Sequence, residues 1–307
     1  MAYALEEINA RVRADPKEYL AECDANYHRS IAAAAEHILS RMAESPIVLL
    51  SGPSGSGKTT TALKLEEELR RRGVSTHTVS MDNYFITMDP KTAPRTPEGT
   101  LDLESPHCLD MALLDESFSK LARGEEILIP HFEFARQMRN DALGVPLRLQ
   151  KNELAIFEGI HALNDDIAGR HPEATKLYIS ARSNVMEGEL LRFKGTWMRL
   201  TRRAVRDYNF RGTDISTTLD RWANVRRGEK LYISPFKNKA NIILDSSLPY
   251  EVSVMKHYAA PMLKAVPEEN QRHAELLDLI GAFAYFEPID PALVAKDSLL
   301  REFIGGG

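Results

Sequence analysis

The chain has 307 residues, of which 43% are hydrophobic and 27% charged, with a formal net charge of −5. That length holds one large α/β domain with appendages or two small domains, and the acidic balance argues against a general nucleic-acid binder. Cys23 and Cys108 are the only cysteines, too few for a disulfide framework or a cysteine-built metal site. No apolar run approaches the roughly 20 residues of a membrane span, and the acidic N-terminus is unlike a secretory signal. A soluble, cytoplasmic protein is expected.

Residues 1–44 read as helical throughout, with Asp15-Pro16 as a cap and first-turn pair and Leu20, Tyr27, Ile31, Ala35, Ile38 and Met42 on one stripe. They precede the first core strand, so residues 1–45 are expected to be an extension packed on a core of residues 46–263. The apolar run 47–50 reads as a buried strand, a glycine-rich turn follows, and 60–72 repeats Ala62, Leu63, Leu65 and Leu69 as a helix stopped by Gly73. Residues 74–80 form a second predicted strand ending at Met81-Asp82. Residues 86–106, rich in Pro, Thr, Asp and Gly, read as a long loop, and long loops inside compact domains are usually functional. A helix is expected over 107–123, a hairpin insertion over 126–152, and strands over 154–157 and 177–179. Residues 184–208 read as mostly helical, 217–231 as a further helix, 241–244 as the last strand and 251–263 as the closing helix. Residues 264–307 form a C-terminal extension with a helix near 272–283 and a frayed Gly305-Gly306-Gly307 end. Strands alternating with helices imply an α/β fold, a parallel sheet covered by helices on both faces.

Three signals carry chemistry. The stretch Gly52-Pro53-Ser54-Gly55-Ser56-Gly57-Lys58-Thr59 lies between a strand and a helix start, the context that makes a phosphate-binding loop physical. Its glycines turn backbone N–H groups toward a polyphosphate, and the helix N-terminus adds partial positive charge. Lys58 supplies a full charge for the outer phosphates and Thr59 a hydroxyl for magnesium. The second signal is a pair of carboxylates. Asp82 ends the second strand at the sheet's carboxyl edge, where it can take a proton from an attacking hydroxyl or touch magnesium through water, although an aspartate there reads equally as a turn residue. Glu158 ends the run 154–157 and faces the same edge, suited to magnesium; nearby His161 reads as a satisfied loop histidine.

The third signal is basic. Residues 192–230 hold eleven Lys and Arg against four acids. Arg199, Arg202, Arg203 and Arg206 recur at helical spacing on one face, where like charges repel unless an anion lies between them. A lid closing these arginines and Arg211 onto a triphosphate is expected, with a solvated basic face as the alternative.

Together these segments resemble the uridine kinase and phosphoribulokinase branch of the P-loop kinases over residues 46–263. The likeness rests on 52–59, 80–85, Asp102-Leu103-Glu104-Ser105-Pro106, 129–139, 156–160 and 202–212, and the helical extensions resemble a bacterial uridine kinase-like subgroup. It implies a P-loop kinase fold with a hairpin insertion (126–152) and a helical lid (192–230). It implies ATP and Mg2+, bound by Gly52, Ser54, Gly55, Ser56, Gly57, Lys58, Thr59 and Thr60, with Thr59, Glu158 and Asp82 toward the metal. Asp82 matches the family's general base, and Lys58, Arg206 and Arg211 match its phosphate-holding groups. Glu104, Phe132, Phe134, Gln137, Arg139 and Arg203 are placed at the acceptor. This chain departs from the pattern at Glu104 (family aspartate), at Phe132 and Gln137 (tyrosine and histidine), and at Thr213 (an arginine near the base).

The leading reading is an ATP-dependent kinase of a nucleoside 5′-hydroxyl. The alternatives are a kinase of a sugar phosphate, vitamin precursor or other polyol; a nucleotide-dependent switch, for which Asn238-Lys239-Ala240-Asn241 lacks the guanine-reading aspartate; and, least favoured, RNA binding through the basic helix. A small-molecule acceptor is the expected partner, with no membrane, and with a homo-oligomer left open.

Overall fold

The computed structural model describes residues 2–270 and 272–307. Met1, part of the expected N-terminal helix, lies outside them.

The chain opens on a short strand, β1 (Ala2–Ala4), not a helix, and continues into α1 (Leu5–Ala14) and α2 (Pro16–Arg41). Asp15 caps α2 by accepting from the Lys17 and Glu18 amides, with Pro16 in the first turn. The strand β2 (Ile47–Ser51) is buried along its whole length and leads through the glycine-rich turn into α3 (Lys58–Arg71) and then β3 (Ser75–Ser80). After the long loop, α4 (Met111–Ala122) starts later than expected: Pro106–Cys108 forms a separate 3-10 turn, and the Asp110 side chain caps the helix proper.

The insertion contains β4 (Ile127–Ile129), β5 (Phe132–Glu133), β6 (Met138–Arg139) and β7 (Val145–Leu147), with β5–β6 nested inside an antiparallel β4–β7 pair. The chain returns through β8 (Glu153–Glu158), α5 (Asp165–Ala168) and β9 (Thr175–Ser180).

The expected helix over 184–208 is corrected in its first third. β10 (Asn184–Glu187) and β11 (Leu190–Phe193) form a hairpin, and β1 adds to it in parallel as a three-stranded sheet. Gly188, at φ +55, supplies the left-handed turn. Val185 pairs with Phe193 and both are buried, whereas Leu190 and Leu191 face solvent. Helix α6 (Gly195–Arg211) follows, then α7 (Ile215–Gly228), the last strand β12 (Ile242–Asp245), and the closing helices α8 (Glu251–Lys264), α9 (His273–Ala282) and α10 (Arg301–Ile304).

The main sheet has the order β12-β9-β2-β8-β3, and every neighbouring pair is parallel. Alternate residues serve opposite faces. Val48, Leu50, Ile156 and Ile179 join a core that includes α1, α2 and the C-terminal segment, while Leu49, Phe157, Val79 and Tyr178 join a second core under α4. Both extensions are therefore packed into the sheet's own core. Tyr27 on α2 bonds Thr61 on α3 at 2.6 Å, and Tyr250 donates to Asp24 at 2.8 Å. The terminal glycines are also engaged: the Gly305 carbonyl accepts from Arg301 at 3.0 Å.

Register decides where the chemistry meets. Glu158 pairs with Leu50 on one side and with Ser80 on the other. The start of the glycine-rich turn, Glu158, and the Met81-Asp82 step thus emerge side by side from the carboxyl edge of the sheet.

Candidate active site

The turn after β2 is strained enough to need its glycines. Gly57 caps α3 at φ +81, a left-handed conformation that turns the following amides inward. Lys58, Thr59, Asp82, Glu158, Arg206 and Arg211 all line one cavity of about 130 Å³ over this turn.

Lys58, Glu158 and Arg206 are half-buried there, while Asp82 and Arg211 remain exposed. Burial pushes the Lys58 ammonium down from its usual value, opposed by Glu158 and Asp82. The Asp82 carboxyl is raised by desolvation, with Lys58, Arg211 and Arg206 pulling the other way. The surface that Asp82 exposes opens into the cavity, so its side chain is solvent-accessible and yet ringed by protein. Glu158 is raised by the same desolvation, which Lys58 opposes and Asp82 reinforces.

Arg199, Arg202, Arg203 and Arg206 on α6 divide, correcting the expectation that one face presents them all to phosphate. Arg199 turns to the buried Glu229, its Nη2 2.9 Å from Oε2. Arg202 is fully buried against Glu251. Arg203 donates to the Ser54 hydroxyl at 3.0 Å, on the rim of the turn. Arg206 and Arg211 reach the cavity, and Asp207 gathers Arg203, Arg206 and Arg211 at 3.3, 2.8 and 3.6 Å. Three acids of this chain, Glu229, Glu251 and Asp207, therefore supply the counter-charge that the spacing demanded.

A central parallel strand, a phosphate-binding turn, two desolvated carboxylates and two arginines are thus assembled at one sheet edge. The model of the Phosphoribulokinase / Uridine kinase family matches residues 47–253. The chain belongs to this family.

Relatives agree. A uridine kinase of Macrococcus caseolyticus is 26% identical over 204 residues, covering 66% of this chain and 89% of that protein. One from Staphylococcus aureus is 25% identical over 214 residues, covering 69% and 93%. Among solved structures, a Silicibacter protein named as a fructose transport system kinase shares the fold, with TM-score 0.51, 19% identity, and coverage of 70% of this chain and 98% of that one.

Family membership implies ATP and Mg2+. Among the described residues no cluster of three or more His, Cys, Asp or Glu side chains could hold a metal by itself. Mg2+ keeps several waters and takes one or two protein oxygens alongside phosphates. The Thr59 hydroxyl and the Glu158 carboxylate are hard oxygen donors on the same cavity wall and fit that demand.

The acceptor residues implied by the family likeness are spread around this edge. Glu104 is raised by desolvation, with Arg203 as its main opposing charge. Its neighbour Asp102 is a structural acid, accepting from Tyr232 at 3.0 Å and paired with Arg227 at 2.5 Å. In the insertion, Phe132 is buried, packed against a tilted Phe85 at 5.5 Å and edge-on to Phe134 at 5.2 Å between centroids, Phe85 lying three residues beyond Asp82. Phe134 is exposed. Gln137 takes φ +53 and donates to the Phe134 carbonyl at 2.7 Å, so its amide closes its own turn. Arg139 is paired with Asp110 at 2.6 Å and Asp141 at 2.5 Å. None of these insertion residues lines the cavity over Lys58.

His161, only 2% exposed, lies edge-on to Tyr232 at 6.3 Å. Burial pushes its pKa down from 6.5 to about 4. The unfolded chain takes up that proton first, so it binds more protons than the folded chain between those values. Stability should therefore fall as pH drops through this window, by about 3 kcal/mol in full. Urea titrations at pH 7 and pH 4.5 should show the loss, and His161→Gln should remove most of it.

One residue at the cavity had no signal in the sequence. Glu302, on α10, lines the same cavity and accepts a hydrogen bond from the Thr60 hydroxyl. It is a single acid in a segment without a motif, 242 residues from its partner.

Proposed function

We propose that this chain is an ATP-dependent kinase that transfers the γ-phosphoryl group to a small-molecule hydroxyl, the 5′-hydroxyl of a nucleoside being the acceptor class favoured by its relatives' names. The observation that carries this reading is the convergence of Lys58, Asp82, Glu158, Arg206 and Arg211 on one desolvated cavity.

Asp82 orients the acceptor hydroxyl and takes its proton, a role that its raised carboxyl suits. Lys58, Arg206 and Arg211 neutralise charge on the group in transit, and the exposed end of α6 (208–211), running on into α7, serves as the lid that brings Arg211 over it. Mg2+, held by Thr59 and Glu158, would add Lewis-acid neutralisation of the phosphates. Positioning and electrostatics carry the rate, with turnover on the order of 1–100 per second on a good acceptor.

A panel of nucleosides, sugar phosphates and polyols with coupled ADP detection tests the proposal. A nucleoside should give the highest kcat/KM, and Lys58→Ala should lower it by at least about 10²-fold. ADP release that no acceptor accelerates would sink the kinase reading in favour of a switch.

One observation favours a second acceptor class. Gln137, expected to read a base edge, is engaged with its own turn, and Arg139, expected at the acceptor, with two aspartates. A sugar phosphate or other polyol needs no such reader, and preferential turnover of one in the panel would establish it.

A further inference from the structure

Glu302 places a carboxylate where a phosphate-binding helix meets its ligand. Its Oε2 accepts from the Thr60 amide at 3.2 Å and from the Thr60 hydroxyl at 2.6 Å. Amides in the first turn of such a helix are the donors that an anionic oxygen seeks, and a carboxylate oxygen satisfies them as a phosphate oxygen does.

Glu302 is also a partition. The 130 Å³ cavity over Lys58 and a neighbouring crevice of about 490 Å³ share Glu302 as a wall residue, and among the described residues no other lines both. The crevice lies between α3 and the C-terminal segment, with Leu63, Lys64, Phe210 and Ser298 along it. The smaller cavity falls short of the roughly 300–1,000 Å³ of small-molecule sites. With Glu302 moved aside, the two become one trough from Asp82, past Lys58 and Thr60, to Leu63 and Phe210. One end is ionic and the other partly apolar, as a nucleotide requires.

Charge points the same way. In the smaller cavity Asp82, Glu158 and Glu302 balance Lys58, Arg206 and Arg211. Withdrawing Glu302 leaves a cationic excess facing the phosphates. The segment that carries it touches both the phosphate-binding turn and α6: Leu299 packs so close to Gly57 that a Cβ there would lie 2.8 Å from its Cδ1, and Gly305 sits against Phe210 on α6.

We propose that Glu302 is an intramolecular stand-in for a donor phosphate: it closes the nucleotide trough at Thr60, and the incoming nucleotide displaces it and loosens residues 296–307 from α3. This rests on the ATP-binding reading above. A tethered carboxylate competes at high effective concentration, so the observed nucleotide affinity is reduced by the fraction of chains that are open.

Calorimetry on the full chain with a non-hydrolysable ATP analogue and Mg2+ tests it, together with amide hydrogen exchange over residues 296–304. Glu302→Gln should bind the analogue about tenfold more tightly than wild type. In the wild type, exchange over 296–304 should rise on binding, a reading independent of any variant. Equal or weaker binding by Glu302→Gln, or exchange that slows on binding, overturns the proposal and makes Glu302 a structural or nucleotide-contacting group. If well-folded wild type and variant both take up no nucleotide, the donor reading itself falls. Binding by both with equal affinity removes the gate alone.

Discussion

Asp82→Asn should leave the chain folded and lower kcat by about 10²–10⁴-fold. The fold is spared because the native carboxylate has no structural partner. Among the described residues it makes no hydrogen bond or ion pair, and its place is fixed through the backbone by the turn Met81–Tyr84, whose Asp82 amide donates to Ser80 Oγ at 3.4 Å. What the substitution removes is proton acceptance. Desolvation raises the Asp82 carboxyl above the ordinary aspartate value. Turnover should thus fall as pH drops through that raised value, an acid limb displaced upward from a free aspartate's, and the variant's residual activity should lack that limb. The sign for stability is opposite. A raised folded-state pKa means that ionisation opposes folding, so stability attached to this group is lost as pH rises through it. At pH 7 the asparagine variant should melt no lower than wild type. Unchanged turnover would take the base role from Asp82. A large loss of thermal stability would instead mark it as a structural residue.

What was legible in the sequence is what lies in consecutive residues. A strand, a glycine-rich turn and a helix start specify a phosphate-binding loop locally, and an acid directly after an apolar strand is carried to the same sheet edge by parallel register. Lys58, Thr59, Asp82 and Glu158 meet for that reason. Arginine assignment failed where helical spacing was asked to do more than it can. Spacing shows that Arg199 and Arg202 share a face with Arg203 and Arg206, but their partners, Glu229 and Glu251, lie 30 and 49 residues away on other elements. The β10–β11 hairpin was misread because short apolar runs fit a helix and a strand alike, and its third strand comes from residues 2–4. Glu302 was silent for the same reason: its meaning lies in tertiary contact alone.

Breaking the Arg202–Glu251 pair should cost about 3–5 kcal/mol, the largest stability effect expected in this chain. Both side chains are fully buried. Burial works against the guanidinium charge, and Glu251 more than offsets it, holding Arg202 above its ordinary value. Nη2 donates to Glu251 Oε2 at 2.6 Å and to the Ser246 carbonyl at 2.8 Å, Nη1 reaches the Gly55 carbonyl at 3.3 Å, and the Phe303 ring lies 5.0 Å away. This one side chain therefore ties α6 to α8, to the loop after β12, to the phosphate-binding turn and to the C-terminal segment. Glu251→Gln leaves the guanidinium buried beside a neutral amide, and urea unfolding should register the loss. The double variant Arg202→Met, Glu251→Leu should recover much of the stability, since apolar groups of similar volume need no counter-charge. It should not recover nucleotide affinity, because Gly55 then loses its tether. Recovery of both would make the pair packing alone, and a Glu251→Gln variant as stable as wild type would show that the buried charge is satisfied elsewhere.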